Sequence, residues 1–287
     1  MVLLFYQGNC YNLYMEKIAI VTSEGGLSCA YSVGALLALV EKYHFTEPAF
    51  VIGSSGSTAT LAYYVAKQYP SIKNIWENLL STKKFLNRFR LFKIMDIDYL
   101  IDDIFGKQDK LDTQAVRNSA IKFYIGATEV NGQPIYFSNQ GDVPILEALR
   151  ASSAMPVIFG KRVKINDKYY IDGSWANNLE KNIQKARELG ATKIIVINNR
   201  NTTLTTRLFL KTYQLFVNKG LRSAIQKYIA DESYAPSGSD IILITPKTRL
   251  PASTLDNNKN HIIKTMRMGY EDACSNSELR QIVDKSP

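Results

Sequence analysis

Two short apolar segments are each followed, after a turn, by a longer segment rich in small residues. Residues 17–23 (KIAIVTS) and 49–54 (AFVIGS) are apolar almost throughout, which is typical of strands buried on both faces of a parallel sheet. Residues 28–43 and 56–68 mix large apolar residues with Ala, Gly and Ser, which favours helices packed closely on such a sheet. The order strand, helix, strand, helix predicts an α/β fold, a three-layer α/β/α sandwich with a mostly parallel central sheet.

The rest of the chain predicts further elements of one domain. We expect strands at 122–129, 134–138, 161–165, 168–171, 193–198 and 240–245, and helices at 144–151, 178–189, 208–230 and 261–274. Residues 71–118 carry mixed charge and many aromatic side chains, and they predict a helical, cap-like insertion. Residues 1–14 are either an N-terminal extension or an extra edge strand, so we expect the single domain to span residues 15–287.

Composition narrows the classes of function. Cys10, Cys29 and Cys274 are too few and too widely spaced for a disulfide framework or a zinc site, so we expect no metal and a reducing, cytoplasmic location. The net charge of +9 suits nucleic acid, an anionic membrane surface or an acidic substrate, but no nucleic-acid-binding motif accompanies it. We therefore expect no nucleic-acid partner and, because no apolar window is long enough, no membrane-spanning helix.

A serine lies at the junction between the second strand and its helix, where residues 52–57 read IGSSGS. A nucleophile elbow needs small residues two positions before and two positions after the nucleophile, because the turn leaves no room for larger side chains. Ser55 meets this requirement through Gly53 and Ser57, whereas Ser54 has Ile52 two positions before it. The spacing predicts Ser55 as a nucleophile; a serine-rich helix cap is the alternative interpretation.

Gly25 and Gly26 lie between the first strand and its helix. Backbone N–H groups at the start of a helix can hold an anion or the oxyanion of an acyl-transfer reaction. The segment lacks the G-x-G-x-x-G spacing of dinucleotide-binding proteins, so we expect no nucleotide cofactor. A plain tight turn is the alternative.

An acidic residue, Asp172, ends a predicted strand and precedes Gly173. Asp-Gly is a frequent turn dipeptide, and a turn alone would explain it. As a catalytic base, Asp172 would accept the proton of Ser55, which requires burial to raise the pKa of the carboxyl from its usual value near 3.9.

These three pieces, in this order, resemble the patatin-like phospholipase family. The resemblance runs from about residue 17 to residue 198, and its supporting stretches are SEGGLSCAYSVG at 23–34, IGSSGS at 52–57, ATEVNGQPIYF at 127–137, ASSAMPVIF at 151–159 and YYIDGS at 169–174. It implies a lipid acyl hydrolase with a Ser–Asp dyad, an acyl-enzyme, a lipid or other acyl-ester substrate and no cofactor. By this resemblance Ser55 is the nucleophile, Asp172 is the base, and the oxyanion hole is formed by Gly25, Gly26 and the backbone of Leu27 and Ser28.

The sequence departs from the family's pattern around both motifs. Glu24 stands where a third glycine is usual, Ser28 and Cys29 where Arg or Lys and then Gly are usual, and Ser174 where a second glycine follows Asp-Gly. The departures leave open a catalytically weak relative that binds lipid or a protein partner, and a subgroup with its own substrate. An acyltransferase of the same fold is the alternative enzyme. A triad through His261 is a further alternative, because Ser, Asp, His is the chain order of α/β-hydrolases.

Residues 81–94 (STKKFLNRFRLFKI) interleave five cations with six large apolar residues and contain no acid. Such a segment can lie in an anionic lipid interface, and we expect it to border the Ser55 site. The alternative is a helix with one face in the core and one in water. The expected peripheral membrane contacts are Lys83, Lys84, Phe85, Arg88, Phe89 and Arg90. Residues 207–227 form a second, weaker candidate.

Overall fold

The computed structural model describes residues 3–6, 9–12, 16–90, 93–156, 158–199, 211–230 and 234–283. Its strands are β1 (Leu3–Tyr6), β2 (Asn9–Asn12), β3 (Ile18–Thr22), β4 (Phe50–Ser54), β5 (Lys122–Glu129), β6 (Pro134–Ser138), β7 (Val163–Ile165), β8 (Lys168–Ile171), β9 (Lys193–Ile197) and β10 (Ile241–Ile244). Its α-helices are α1 (Ala30–Glu41), α2 (Gly56–Val65), α3 (Tyr69–Asn74), α4 (Thr113–Asn118), α5 (Ile145–Ser152), α6 (Leu179–Glu188), α7 (Lys219–Ala230), α8 (Lys259–Ser275) and α9 (Ser277–Val283). Two π-helical stretches, Ile75–Leu79 and Tyr99–Gln108, lie between α3 and α4.

One mixed sheet runs through the described residues, in the order β10-β9-β3-β4-β5-β8-β7, with β6 also paired to β5. The strands from β10 to β5 are parallel, whereas β6, β7 and β8 join through antiparallel pairs. The mostly parallel sheet predicted from the sequence is therefore confirmed. The strands β1 and β2 pair with each other in a separate hairpin.

Helices cover both faces of the sheet, and β3 shows why. Ile18 and Ile20 belong to the hydrophobic cluster that includes α1 and α8, whereas Ala19 and Val21 belong to the cluster that includes α6. Successive strand residues point to opposite faces, so a strand apolar at every position has to be covered on both. This arrangement gives the three layers.

Small residues allow α1 and α8 to cross in close contact. A Cβ atom added to Gly34 of α1 would overlap the backbone of Met266, and one added to Gly269 of α8 would overlap the backbone of Tyr31. The crossing holds the beginning of α1, and with it the glycine turn before it, against the sheet. In the described residues, no helix is long and apolar enough to span a membrane.

One predicted helix and one alternative interpretation were wrong. The helix expected at 208–230 is interrupted, because Val217 is extended (φ −114°, ψ 162°) between a 3₁₀ turn at Gln214–Phe216 and α7; residues 208–210 lie outside the described part. The described residues 81–90 and 93–94 do not form the helix of the alternative interpretation. Leu86 instead pairs with Met95 in an antiparallel bridge, and we call residues 83–90 and 93–96 the basic hairpin.

Candidate active site

Ser55 occupies a sharp turn between β4 and α2. Its φ of 59° and ψ of −139° form a conformation that non-glycine residues rarely adopt, and its N–H donates to Ser152 Oγ at 2.9 Å. A Cβ atom on Gly53 would approach Leu61 Cδ1 to 2.6 Å and Ser57 Oγ to 3.0 Å. The small residues that the sequence singled out on either side of Ser55 are therefore required by the packing of the turn.

The Ser55 hydroxyl donates to Asp172 Oδ2 at 2.7 Å. Asp172 directly follows β8, and its other oxygen, Oδ1, accepts from the N–H of Ser174 at 2.9 Å and from the Ser174 hydroxyl at 2.6 Å. Ser174, one of the departures from the family's pattern, thus fixes the orientation of the carboxylate. Both oxygens have donors, so the carboxylate can remain charged although it is buried.

Burial raises the pKa of Asp172 from 3.8 to about 6. The hydrogen bonds from Ser174 and Ser55 oppose this rise, and the nearby Glu24 carboxylate adds to it. A carboxyl with such a pKa is mostly ionised at neutral pH and accepts a proton more readily than an exposed aspartate.

In the glycine turn, two of the N–H groups expected to form the oxyanion hole already donate to backbone carbonyl groups. The N–H of Leu27 donates to Thr254 O at 3.1 Å, and the N–H of Ser28 donates to Gly25 O at 3.2 Å. These two groups are already engaged, which corrects the expectation that they face an oxyanion. Gly26 lines the pocket beside Ser55, and so does Gly56, whose N–H was not among the expected donors. Neither of these two N–H groups donates to another described residue.

Gly56 could have been found from the sequence. The residue after the nucleophile commonly supplies one donor of the oxyanion hole in elbow-type hydrolases. The structure brings Gly56 against the glycine turn: a Cβ atom on Gly56 would lie 3.0 Å from Gly26 O and 3.3 Å from Gly26 N. Gly26 itself needs a positive φ, 56°, and a Cβ there would lie 2.7 Å from Thr254 O.

Asn199, which directly follows the segment 193–198, stabilises the glycine turn from behind. Its side-chain amide donates to Glu24 O at 3.0 Å and contacts Cys29 Sγ at 3.8 Å, and its carbonyl oxygen accepts from Ser32 Oγ at 2.5 Å. Asn199 is fully buried. Its role depends on contacts with residues more than 160 positions away, so no local pattern could have identified it.

An apolar pocket opens on Ser55 and Asp172, and the predicted cap-like segment forms much of its wall. The lining residues from 71–118 are Ile72, Ile75, Trp76, Leu80, Phe85, Met95, Ile97, Leu100 and Phe105. Leu27, Ala59, Tyr63, Met155 and Ile158 complete the apolar lining. The pocket therefore offers an apolar surface beside a small polar centre.

The predicted membrane contacts divide between two environments. Phe85 is buried (3% exposed) and lines the pocket, which corrects the expectation that its side chain faces outward. Lys83, Lys84, Arg88 and Phe89 are exposed and Arg90 is half-buried.

The two histidines lie away from the Ser–Asp pair. His261 Nδ1 lies 2.7 Å from Asp256 Oδ2, and the ring is exposed. His44 is exposed in the corner after α1. Neither lines the pocket, so the geometry does not favour the alternative of a triad through His261.

Comparisons with known proteins bear on the family and the fold of this chain. The sequence matches the patatin-like phospholipase family over residues 21–180, more than half of the chain. An uncharacterized protein of Escherichia coli K12, YjjU, is 22% identical over 230 residues, which cover 77% of this chain; the chain spans 59% of that protein's length. The crystal structure of VipD from Legionella pneumophila superposes with a TM-score of 0.57 at 13% identity, over 94% of this chain and 67% of VipD. The likeness to VipD shows a shared fold.

Proposed function

The chain belongs to the patatin-like phospholipase family, and from this premise we propose that it hydrolyses carboxylic esters of lipids through an acyl-enzyme on Ser55. The observation that carries the proposal is the 2.7 Å hydrogen bond from the Ser55 hydroxyl to the buried Asp172 carboxylate at a strained turn. A hydroxyl becomes a nucleophile when a base within hydrogen-bond reach takes its proton during attack.

In the first half-reaction, Ser55 Oγ attacks the carbonyl carbon of the ester while its proton passes to Asp172. The carbonyl π electrons move to oxygen, and the N–H groups of Gly26 and Gly56 donate to the resulting oxyanion. Collapse of the tetrahedral intermediate breaks the ester C–O bond. The departing alcohol takes the proton from Asp172, and the acyl group stays on Ser55.

In the second half-reaction, water attacks the acyl-enzyme and gives its proton to Asp172. The second tetrahedral intermediate releases the carboxylic acid, and the proton returns to Ser55 Oγ. Asp172 begins and ends each half-reaction ionised, so one carboxylate serves as base and acid in turn.

The apolar pocket supports an acyl substrate. Burying an apolar chain contributes about 0.8 kcal/mol for each methylene removed from water. The wall from 71–118 is continuous with the dyad, because Phe105 and Ser55 line the same pocket. The pocket thus holds the chain while the carbonyl lies at Ser55.

A fluorophosphonate probe tests the nucleophile, since it reacts covalently with activated serines. We expect the wild-type protein to be labelled and to hydrolyse p-nitrophenyl esters. Ser55→Ala should abolish both, with a loss of about a thousandfold or more in kcat/KM. Ser223→Ala, which removes an exposed hydroxyl on α7, is the matched control and should keep both. Loss of labelling in Ser57→Ala with retention in Ser55→Ala would refute the assignment.

A further inference from the structure

Three large apolar side chains project into solvent from two segments far apart in the chain. Phe89, in the basic hairpin, is 95% exposed; Phe216 and Leu215, in the turn before α7, are 81% and 65% exposed. Clustered exposure of this kind marks a surface that contacts a partner or a membrane.

The two segments are neighbours in space, joined by residues 158–162. Ile158 O accepts from the N–H of Met95 in the basic hairpin at 3.1 Å, and a Cβ atom on Gly160 would lie 4.0 Å from Lys93 N. On the other side, Gly160 and Arg162 line one cleft together with Phe216. The basic hairpin, residues 158–162 and residues 213–217 therefore form a continuous surface, which we call the hairpin face.

The hairpin face carries excess positive charge. Several of its cations are neutralised locally: Lys93 and Lys161 pair with Asp98 at 2.9 and 2.6 Å, and Arg90 lies 3.7 Å from Asp96. Four further cations are exposed and form no ion pair with any described carboxylate, and these are Lys83, Lys84, Arg88 and Arg162.

The same face adjoins the pocket wall. Phe85 and Met95, one on each arm of the basic hairpin, line the pocket, and so does Ile158 at the start of the connecting segment. The Arg88 guanidinium donates to Leu255 O, next to Thr254 of the pocket lining, and so ties the hairpin to the rim.

We propose that the hairpin face is a single interfacial surface that binds an anionic lipid bilayer, with Phe89, Leu215 and Phe216 inserted among the lipids and Lys83, Lys84 and Arg162 at the headgroups. The proposal rests on the proposed function for its purpose, because a lipid ester has to pass from the bilayer into the adjoining pocket. Binding itself needs no hydrolysis, so the two proposals can fail separately. Apolar groups at the centre with cations around them suit an anionic interface.

The first test measures sedimentation of the full chain with vesicles, in the Ser55→Ala background so that no lipid is consumed. We expect binding to vesicles of phosphatidylcholine with phosphatidylglycerol, weaker binding to pure phosphatidylcholine, and loss of binding as salt screens the charges. The triple variant Lys83→Gln, Lys84→Gln, Arg162→Gln should bind roughly a hundredfold more weakly, because each cation near such a surface contributes a factor of about five.

A matched control removes the same charge elsewhere. Lys17, Lys42 and Lys122 are exposed, and Lys17 and Lys122 lie at the amino ends of β3 and β5, the edge of the sheet opposite Ser55. Their triple Gln variant has the same net charge and should bind as the parent does. Equal binding by the two triple variants would overturn the proposal. Absence of binding of the parent to anionic vesicles would also overturn it, and the hairpin face would then suit a protein partner.

The second test asks whether both parts of the face insert. The natural tryptophans, Trp76 and Trp175, are buried, so a tryptophan introduced at Phe89 or Leu215 reports on its own surroundings. We expect the emission of both Phe89→Trp and Leu215→Trp to shift to shorter wavelength on addition of anionic vesicles, and Lys42→Trp to stay unchanged. A shift at Phe89 without one at Leu215 would contradict a single continuous surface.

Discussion

The two sides of the pocket are held by different kinds of interaction. On the dyad side, which comprises the glycine turn, the elbow and Asp172, buried polar atoms are fixed by hydrogen bonds such as those to Ser152 and Asn199. On the cap side, formed by residues 71–118, apolar side chains fill space around the pocket. Hydrogen bonds fix atoms to within tenths of an ångström, whereas apolar packing mainly conserves volume. We therefore expect abrupt losses from changes on the dyad side and graded effects on the cap side.

The largest effect is expected from Asp172→Asn. The amide keeps the size of the side chain and can still accept from Ser174, but it cannot take the Ser55 proton. The kcat/KM for a soluble ester should fall by about a thousandfold or more, with the fold retained in a circular dichroism spectrum. Asp167→Asn, the same change at an exposed turn position, should have no effect. Activity within tenfold of wild type in Asp172→Asn would exclude Asp172 as the base.

A smaller but still abrupt loss is expected from Gly26→Ala. The added methyl group would lie 2.7 Å from Thr254 O at a φ of 56°, so the turn would have to move and displace one proposed oxyanion donor. Loss of one donor typically lowers kcat by about a hundredfold. Gly190→Ala has a similar φ, 85°, but no atom within 4 Å of the new methyl. Gly190→Ala should lower the free energy of unfolding by about 1 kcal/mol and leave kcat unchanged. Equal kcat values for Gly26→Ala and Gly190→Ala would contradict the proposed role of Gly26.

The burial that raises the pKa of Asp172 should also lower the free energy of unfolding. Its pKa is raised to about 6 in the folded protein, so folding favours the protonated form and stability falls as pH rises from about 4 to above 6. Asp172→Asn removes this penalty, and we expect about 1–3 kcal/mol greater stability than wild type at pH 8. Urea unfolding at several pH values measures the difference, which should vanish below about pH 4. A variant less stable than wild type at pH 8 would show that the carboxylate stabilises the fold.

The pH dependence of hydrolysis should follow the same group. The base has to be ionised in the free enzyme, so kcat/KM should rise with pH and level off above about 6, the pKa of Asp172. At one pH unit below that pKa, kcat/KM should be about tenfold lower than its plateau value. A profile that titrates near the pKa of an exposed aspartate would indicate that Asp172 is not the group involved.

The cap side should respond gradually. Phe105 lines the pocket and packs edge-on against Tyr63, with ring centroids 5.3 Å apart. Phe105→Leu should shift the preferred p-nitrophenyl ester to a longer chain by a few-fold in kcat/KM, since burying one added methylene contributes about 0.8 kcal/mol. Phe123→Leu makes the same change in β5, away from the pocket, and should lower stability without moving the preference. If Phe105→Leu and Phe123→Leu preferred the same chain length, the acyl chain would not lie against Phe105.

The sequence predicted the dyad side better than the cap side. The strand–turn–helix pattern and the small residues around Ser55 follow from local sterics, and the structure contains both. The donors of the glycine turn were predicted incorrectly, because Leu27 N–H is taken by Thr254, more than two hundred residues away. In the basic hairpin, alternating cations and apolar residues indicated an interface, but the pattern could not show that Phe85 turns inward while Phe89 turns outward.

The sequence by itself determined the order of strands and helices, the elbow and the turn at Asp172, because each depends on the backbone preferences of a few adjacent residues. Only the tertiary structure decided that Ser55 and Asp172, 117 positions apart, lie within one hydrogen bond of each other. It also decided that Asn199 supports the glycine turn and that residues 158–162 lie between the basic hairpin and residues 213–217. The physical reason is that side-chain partners across the chain are selected by packing of the complete sheet and its helices, a condition that no short stretch of sequence contains.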